Sequence, residues 1–166
     1  MTIERVAKEK SEFSDKLIIT PMGRCHIKKT FSLFQEHQPN SSMDNFLKLW
    51  GNISPDKLKQ SAKQQNTFQN IVIARSANDY IHGLFTFLAV HEKNLIINHI
   101  IIPGPIGRQK VLKQFIEYII KLGIDLKCSV IKINDIKNSD WHSIFFQEAG
   151  AKRINPDSLQ INISAQ

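Results

Sequence analysis

The chain has no run of about 18 apolar residues, so no segment reads as a membrane-spanning helix. It has only two cysteines, Cys25 and Cys128, which form no metal-ligand or redox spacing. Residues 1–14 are polar and mixed in charge, without the apolar stretch of a signal peptide. These absences point to a reduced, cytoplasmic protein without a membrane anchor or metal. A dense basic block is missing too. Lys and Arg number 22 against 15 Asp and Glu, a net charge of +7, yet most stand singly, as at Lys57, Lys110, Lys113 and Lys127. With no aromatic-rich RNA-binding signature beside them, that scatter argues against nucleic acid. The positive balance still suits a phosphorylated cofactor or an acidic acceptor.

What is present is enough for one domain. A chain of 166 residues can bury a core without staples, and its apolar residues, rich in Ile and Phe, favour a sheet. We expect a single domain over 1–166, with 1–14 loosely packed. Residues 17–20 read as a strand closed by Pro21. Ile27, Phe31 and Phe34 then recur at helical spacing over 24–37, and Pro39 ends that helix. Ser42 can cap a second helix whose apolar face is Phe46, Leu47 and Trp50, and Ser54-Pro55 reads as a further helix start. The stretch 57–67 is rich in Gln and Lys and has little to bury.

Three apolar runs follow at 70–76, 81–91 and 95–102, separated by short polar turns, which predicts an antiparallel meander. Pro103-Gly104-Pro105-Ile106-Gly107 breaks the pattern. Val111, Leu112, Phe115, Ile116, Ile119 and Ile120 then mark a helix up to Gly123, a residue suited to its C-terminal cap. A short strand at 129–134, parallel to its predecessor through a right-handed crossover, precedes a helix at 140–148 and a last strand at 159–163. A strand that ends in a Gly-containing turn and opens a helix directs free N–H groups outward, which suits an anion. Gly104 and Gly107 permit close approach, and Arg108 and Lys110 add positive charge there. The same feature is also a common structural turn.

The order of elements, with "IHGLFTFLAV" as a central strand, "LIINHIIIPGPIGRQKVLKQFIEYIIKLG" as strand, loop and helix, and "WHSIFFQEAGAKR" before a closing hairpin, resembles the GNAT superfamily of N-acyltransferases. The resemblance spans nearly the whole chain. It implies an α/β (α+β) fold with a mixed, mostly antiparallel central sheet flanked by helices. It also implies direct acyl transfer from acetyl-CoA or another acyl-CoA to an amine, without a covalent enzyme intermediate. Coenzyme A would then lie on Ile101, Ile102, Gly104, Ile106, Gly107, Arg108, Gln109 and Lys110, with Asn134 where the family's sheet splays and Ser139 at the next helix start. The acceptor would be set by residues 24–69, and the closing hairpin implies a homodimer.

The loop departs from the family's pattern of Gln or Arg, two residues, Gly, one residue, then Gly or Ala. In Gly104-Pro105-Ile106-Gly107-Arg108-Gln109 only the middle Gly keeps its place. Phe146 stands where the family often carries a thiolate-protonating Tyr. That leaves His99 as the candidate catalytic base, since a neutral imidazole can accept a proton near pH 7. A packed histidine is the competing reading of that residue, and His142, His82 and His91 are weaker candidates. Phe146 and the altered loop favour an alternative, a catalytically inactive GNAT-like domain that binds coenzyme A or a protein partner. A related acyl-carrier or acyl-CoA transferase that makes a small signal molecule is a third, and a preference for long acyl chains would mark it.

Overall fold

The computed structural model describes residues 16–51, 67–90, 93–104, 107–136 and 139–163. Its strands are β1 (Ile18–Pro21), β2 (Thr67–Arg75), β3 (Ile81–Val90), β4 (Asn94–Ile101), β5 (Val130–Ile133), β6 (Lys152–Asn155) and β7 (Ser158–Asn162). Its helices are α1 (Ile27–His37), α2 (Met43–Lys48), α3 (Arg108–Asp125) and α4 (Ser139–Ala149). The strands form one sheet in the order β1-β2-β3-β4-β5-β7-β6. Every neighbouring pair is antiparallel except β4 and β5, which α3 connects as a crossover. The expected meander and the expected parallel strand are both there. The helix expected at Ser54-Pro55 lies outside the described residues.

Helices cover both faces of the sheet. On one, Val72, Phe85, Phe87, Leu95 and Ile97 pack against Val111, Leu112, Phe115 and Ile119 of α3 and Phe145 of α4. Phe85 and Phe115 meet edge to face at 5.0 Å, and neither is exposed at all. Burying a side chain of that size contributes about 1.5–3 kcal/mol. On the other face, Ile71, Ile73, Leu84 and Ile101 pack against Leu33 and Phe34 of α1 and Phe46 of α2. Ser42 caps α2 as expected, its side chain accepting from the Asn45 N–H at 3.1 Å.

Two glycines place β3 and α3. At Gly83 a Cβ would stand 2.9 Å from the Ile101 carbonyl oxygen, so β4 can lie this close only because no side chain intervenes. Gly123, expected at the end of α3, lies inside it. A Cβ there would meet Ile163 at 2.7 Å and Ile131 at 3.1 Å, so this glycine lets α3 settle onto the sheet. The helix runs two residues further, and the left-handed position after it falls to Lys127, with φ 57°.

Candidate functional site

The site begins where β4 and β5 part. Their ladder stops at the pair Ile97 and Ile133, with one more bond from the Asn134 N–H to the Ile97 carbonyl at 2.9 Å. β4 continues to Ile101 while β5 turns away through Asp135, whose φ is 61°. Asn134 Nδ2 donates to Asn98 Oδ1 at 3.2 Å and so latches the fork at its base.

Asn98 is also the extra residue of a β-bulge, because Phe87 faces Ile97 whereas Thr86 faces His99. In a strand, side chains alternate between faces, and one inserted residue reverses the alternation beyond it. Leu95 and Ile97 point toward α3. Without the bulge His99 would follow them. With it, His99 joins the opposite face, where its ring meets Phe34 of α1 edge to face at 5.4 Å and 77°. His99 Nδ1 lies 2.8 Å from Thr86 Oγ1. Burial depresses the pKa of this imidazole, and the Asp135 carboxylate opposes that shift in part. The bulge thus places an imidazole that burial keeps neutral on the part of β4 beyond the fork.

Beyond β4, the Ile101 and Ile102 side chains are buried on opposite faces, so a ligand there would meet main chain. Gly104 is buried, and Gly107 takes the left-handed conformation, φ 69°, at the start of α3. The first helical bond runs from the Val111 N–H to the Gly107 carbonyl at 3.0 Å, which leaves the N–H groups of Arg108, Gln109 and Lys110 without a partner in the helix. No side chain caps this end and no acid occupies its first turn. Arg108 curls back instead: Nε donates to the Gly104 carbonyl at 3.1 Å and Nη2 to the Pro103 carbonyl at 3.4 Å. Its guanidinium therefore braces the loop while leaving its charge at the helix start.

An open groove of about 750 Å³ runs from this helix end to the start of α4. Gly107, Arg108, Gln109, Lys110, Lys113 and Gln114 line one wall, and Asp140, Trp141 and Ile144 the other. Three cations thus face one carboxylate. Lys113 also reaches Glu148 at 3.6 Å and ties the walls together. Of the residues expected on sequence grounds, Gly107, Arg108, Gln109 and Lys110 gather here. His99 and Asn134 sit at the fork, and Ser139 starts α4. Ile106 lies outside the described residues.

Phe146 is 67% exposed and lines a separate shallow groove with His142 and Arg153, away from the wall formed by Trp141 and Ile144. His142 is structural: Nε2 donates to the Ile136 carbonyl at 2.8 Å while Nδ1 accepts from Arg153 Nη2 at 2.8 Å. His82 is buried against Tyr80, and His91 lies outside the described residues. Cys128 is a buried core thiol whose pKa is raised by burial. Thr86, Phe34, Asn98 and Trp141 belong to the site and were not singled out by sequence.

No family model matches the chain, and no curated protein matches it. Solved structures do. A GNAT-family acetyltransferase from Staphylococcus aureus aligns at TM-score 0.60 and 10% identity, over 90% of this chain and 100% of that one. The aminoglycoside 6'-N-acetyltransferase from Enterococcus faecium aligns at TM-score 0.60 and 10% identity, over 90% and 98%. The spermidine N-acetyltransferase from Vibrio cholerae, solved with CoA and spermine, aligns at TM-score 0.56 and 13% identity, over 88% and 95%. At such identities the likeness is one of fold, and the chain has the GNAT acyl-CoA N-acyltransferase fold.

Proposed function

We propose that the protein transfers an acyl group, acetyl in the simplest case, from an acyl-CoA thioester directly to an amine. The observation that carries this reading is the open fork of β4 and β5, which leads through Gly104 and Gly107 to the uncapped start of α3. The fit to a pyrophosphate rests on the chain's own groups. Three N–H groups without a partner among the described helical residues, a left-handed glycine and the cations Arg108, Lys110 and Lys113 converge where no acid stands in the first helical turn. Coenzyme A, when bound, supplies the acyl group activated as a thioester. Main chain beyond Ile97 on β4, with Asn134 at the base of the fork, would orient its arm. A bound anion also relieves the conflict between the helix dipole and the cations at Arg108 and Lys110.

The amine approaches from the α1 and α2 side, the face to which the bulge turns His99. Kept neutral by burial, His99 is the candidate catalytic residue. It can take a proton from the amine or donate a hydrogen bond to the carbonyl oxygen, according to which ring nitrogen carries its proton. The homodimer expected from the closing hairpin finds support in β6, an edge strand exposed along all four residues.

Thiol release from acetyl-CoA, followed across polyamines, aminoglycosides and peptide N-termini, tests the reading. Turnover with one class is expected, and His99→Ala should lower kcat at least tenfold with little change in acetyl-CoA affinity. A second reading, coenzyme A binding without transfer, is favoured by one observation. Neither described tyrosine is at the fork: Tyr118 packs on Phe85 within the core, and Tyr80 lies in the turn beside His82. Tight acetyl-CoA binding with no thiol release for any amine would select it.

A further inference from the structure

Thr86 lies in the middle of β3 and is 3% exposed. A hydroxyl has one proton to donate as well as lone pairs that accept. Among the described residues, the one partner of Thr86 Oγ1 is His99 Nδ1, at 2.8 Å. Two arrangements of protons are compatible with that distance. If Nδ1 carried the ring proton, it would donate to Oγ1, and the hydroxyl's own proton would be buried with no acceptor. If Nδ1 is bare, the hydroxyl donates to it and both groups are satisfied. Buried polar groups are nearly always satisfied, and leaving one unmade shifts an equilibrium by about tenfold or more.

We propose that Thr86 is a positioning residue that holds neutral His99 in the Nε2–H tautomer, so that the fork meets an N–H donor and not a bare nitrogen. The inference rests on the reading of His99 as the residue at the reaction centre. Packing supports the geometry: Phe34 holds the ring from α1, and Nε2 bonds to no described residue and is left for substrate. Asp135 is the carboxylate that acts on this ring.

The consequence reverses the role expected of His99. An Nε2–H group suits the thioester carbonyl oxygen, where negative charge grows as the amine nitrogen bonds to the carbonyl carbon and the carbon–sulfur bond breaks. It does not suit removal of the amine's proton. That proton passes to water, and the departing thiolate takes one back from water, so His99 ends each turnover as it began.

Nitrogen-15 NMR of histidine-labelled protein reads the tautomer directly, from the couplings of the ring carbons' protons to each nitrogen. At pH above the His99 titration, the wild type should show a bare Nδ1 and a protonated Nε2. Thr86→Val should move His99 toward an even mixture, and Thr86→Ser should restore the wild-type pattern. A protonated Nδ1 in the wild type, or an unchanged tautomer in Thr86→Val, overturns the proposal. The wild-type spectrum decides even if the valine variant fails to fold. Coenzyme A added to the same sample separates the two ideas. Unmoved amides at Arg108, Gln109 and Lys110 would defeat the cofactor reading and leave the tautomer result standing.

Discussion

His26 and Asp79 are 53 positions apart, yet His26 Nε2 lies 3.1 Å from Asp79 Oδ1. Arg75 Nη1 reaches the same oxygen at 3.4 Å, and Lys29 Nζ donates to the Asp79 carbonyl at 3.2 Å. The hydrogen bond with His26 is the chief cause that holds the Asp79 carboxyl below its ordinary value of 3.8. Burial opposes it, and the charges of His26, Arg75 and Lys29 add to the lowering. A carboxylate with a depressed folded pKa stabilises the fold above its unfolded pKa and loses that contribution as pH falls through the folded value. Asp79→Asn should therefore unfold at lower urea than the wild type at pH 7, with the two midpoints converging once acid has protonated the folded-state carboxylate. Asn tolerates the left-handed backbone of Asp79, φ 66°, so the comparison isolates the charge. Midpoints that differ equally at pH 7 and in acid would contradict it. Nothing in the sequence marks this cluster, because its members share neither a motif nor a spacing.

The end of α3 shows both what periodicity reveals and what it misses. Six apolar positions from Val111 to Ile120 revealed the helix and its buried face. Gly123 then read as a cap because glycine usually takes the left-handed position there. In the fold it supplies a carbonyl to a six-residue closing motif: the Cys128 N–H bonds to Gly123 O at 2.9 Å and the Lys127 N–H to Ile124 O at 3.0 Å. The left-handed residue is Lys127, at a cost of about 1 kcal/mol relative to glycine. Lys127→Gly should raise stability by about 1 kcal/mol in urea unfolding without altering coenzyme A binding, whereas a loss of stability would mean that the lysine side chain matters more than its backbone. The bulge at Asn98 is the opposite case. An alternating reading of β4 places His99 with Leu95 and Ile97 beneath α3, and one unpaired residue sends it to the other side. No local property of Asn98 announces that shift.

At the scale of the molecule, turn residues and apolar runs made the order of strands and helices legible, and with it the fold. The loop was legible as a place for an anion, through Gly104, Gly107 and the start of α3, although its motif keeps only one of the family's three positions. Its partner wall was not. Trp141 and Lys113 come together only because α4 packs beside α3, and a sequence holds no measure of that approach. The account stands on this wall and loop holding a pyrophosphate, so calorimetric titration with acetyl-CoA and free coenzyme A is the most direct test. It predicts micromolar binding that Gly107→Glu abolishes, since the new carboxylate would occupy the anion's place at the helix end. No heat of binding at millimolar coenzyme A would contradict the account and leave the fold without its cofactor.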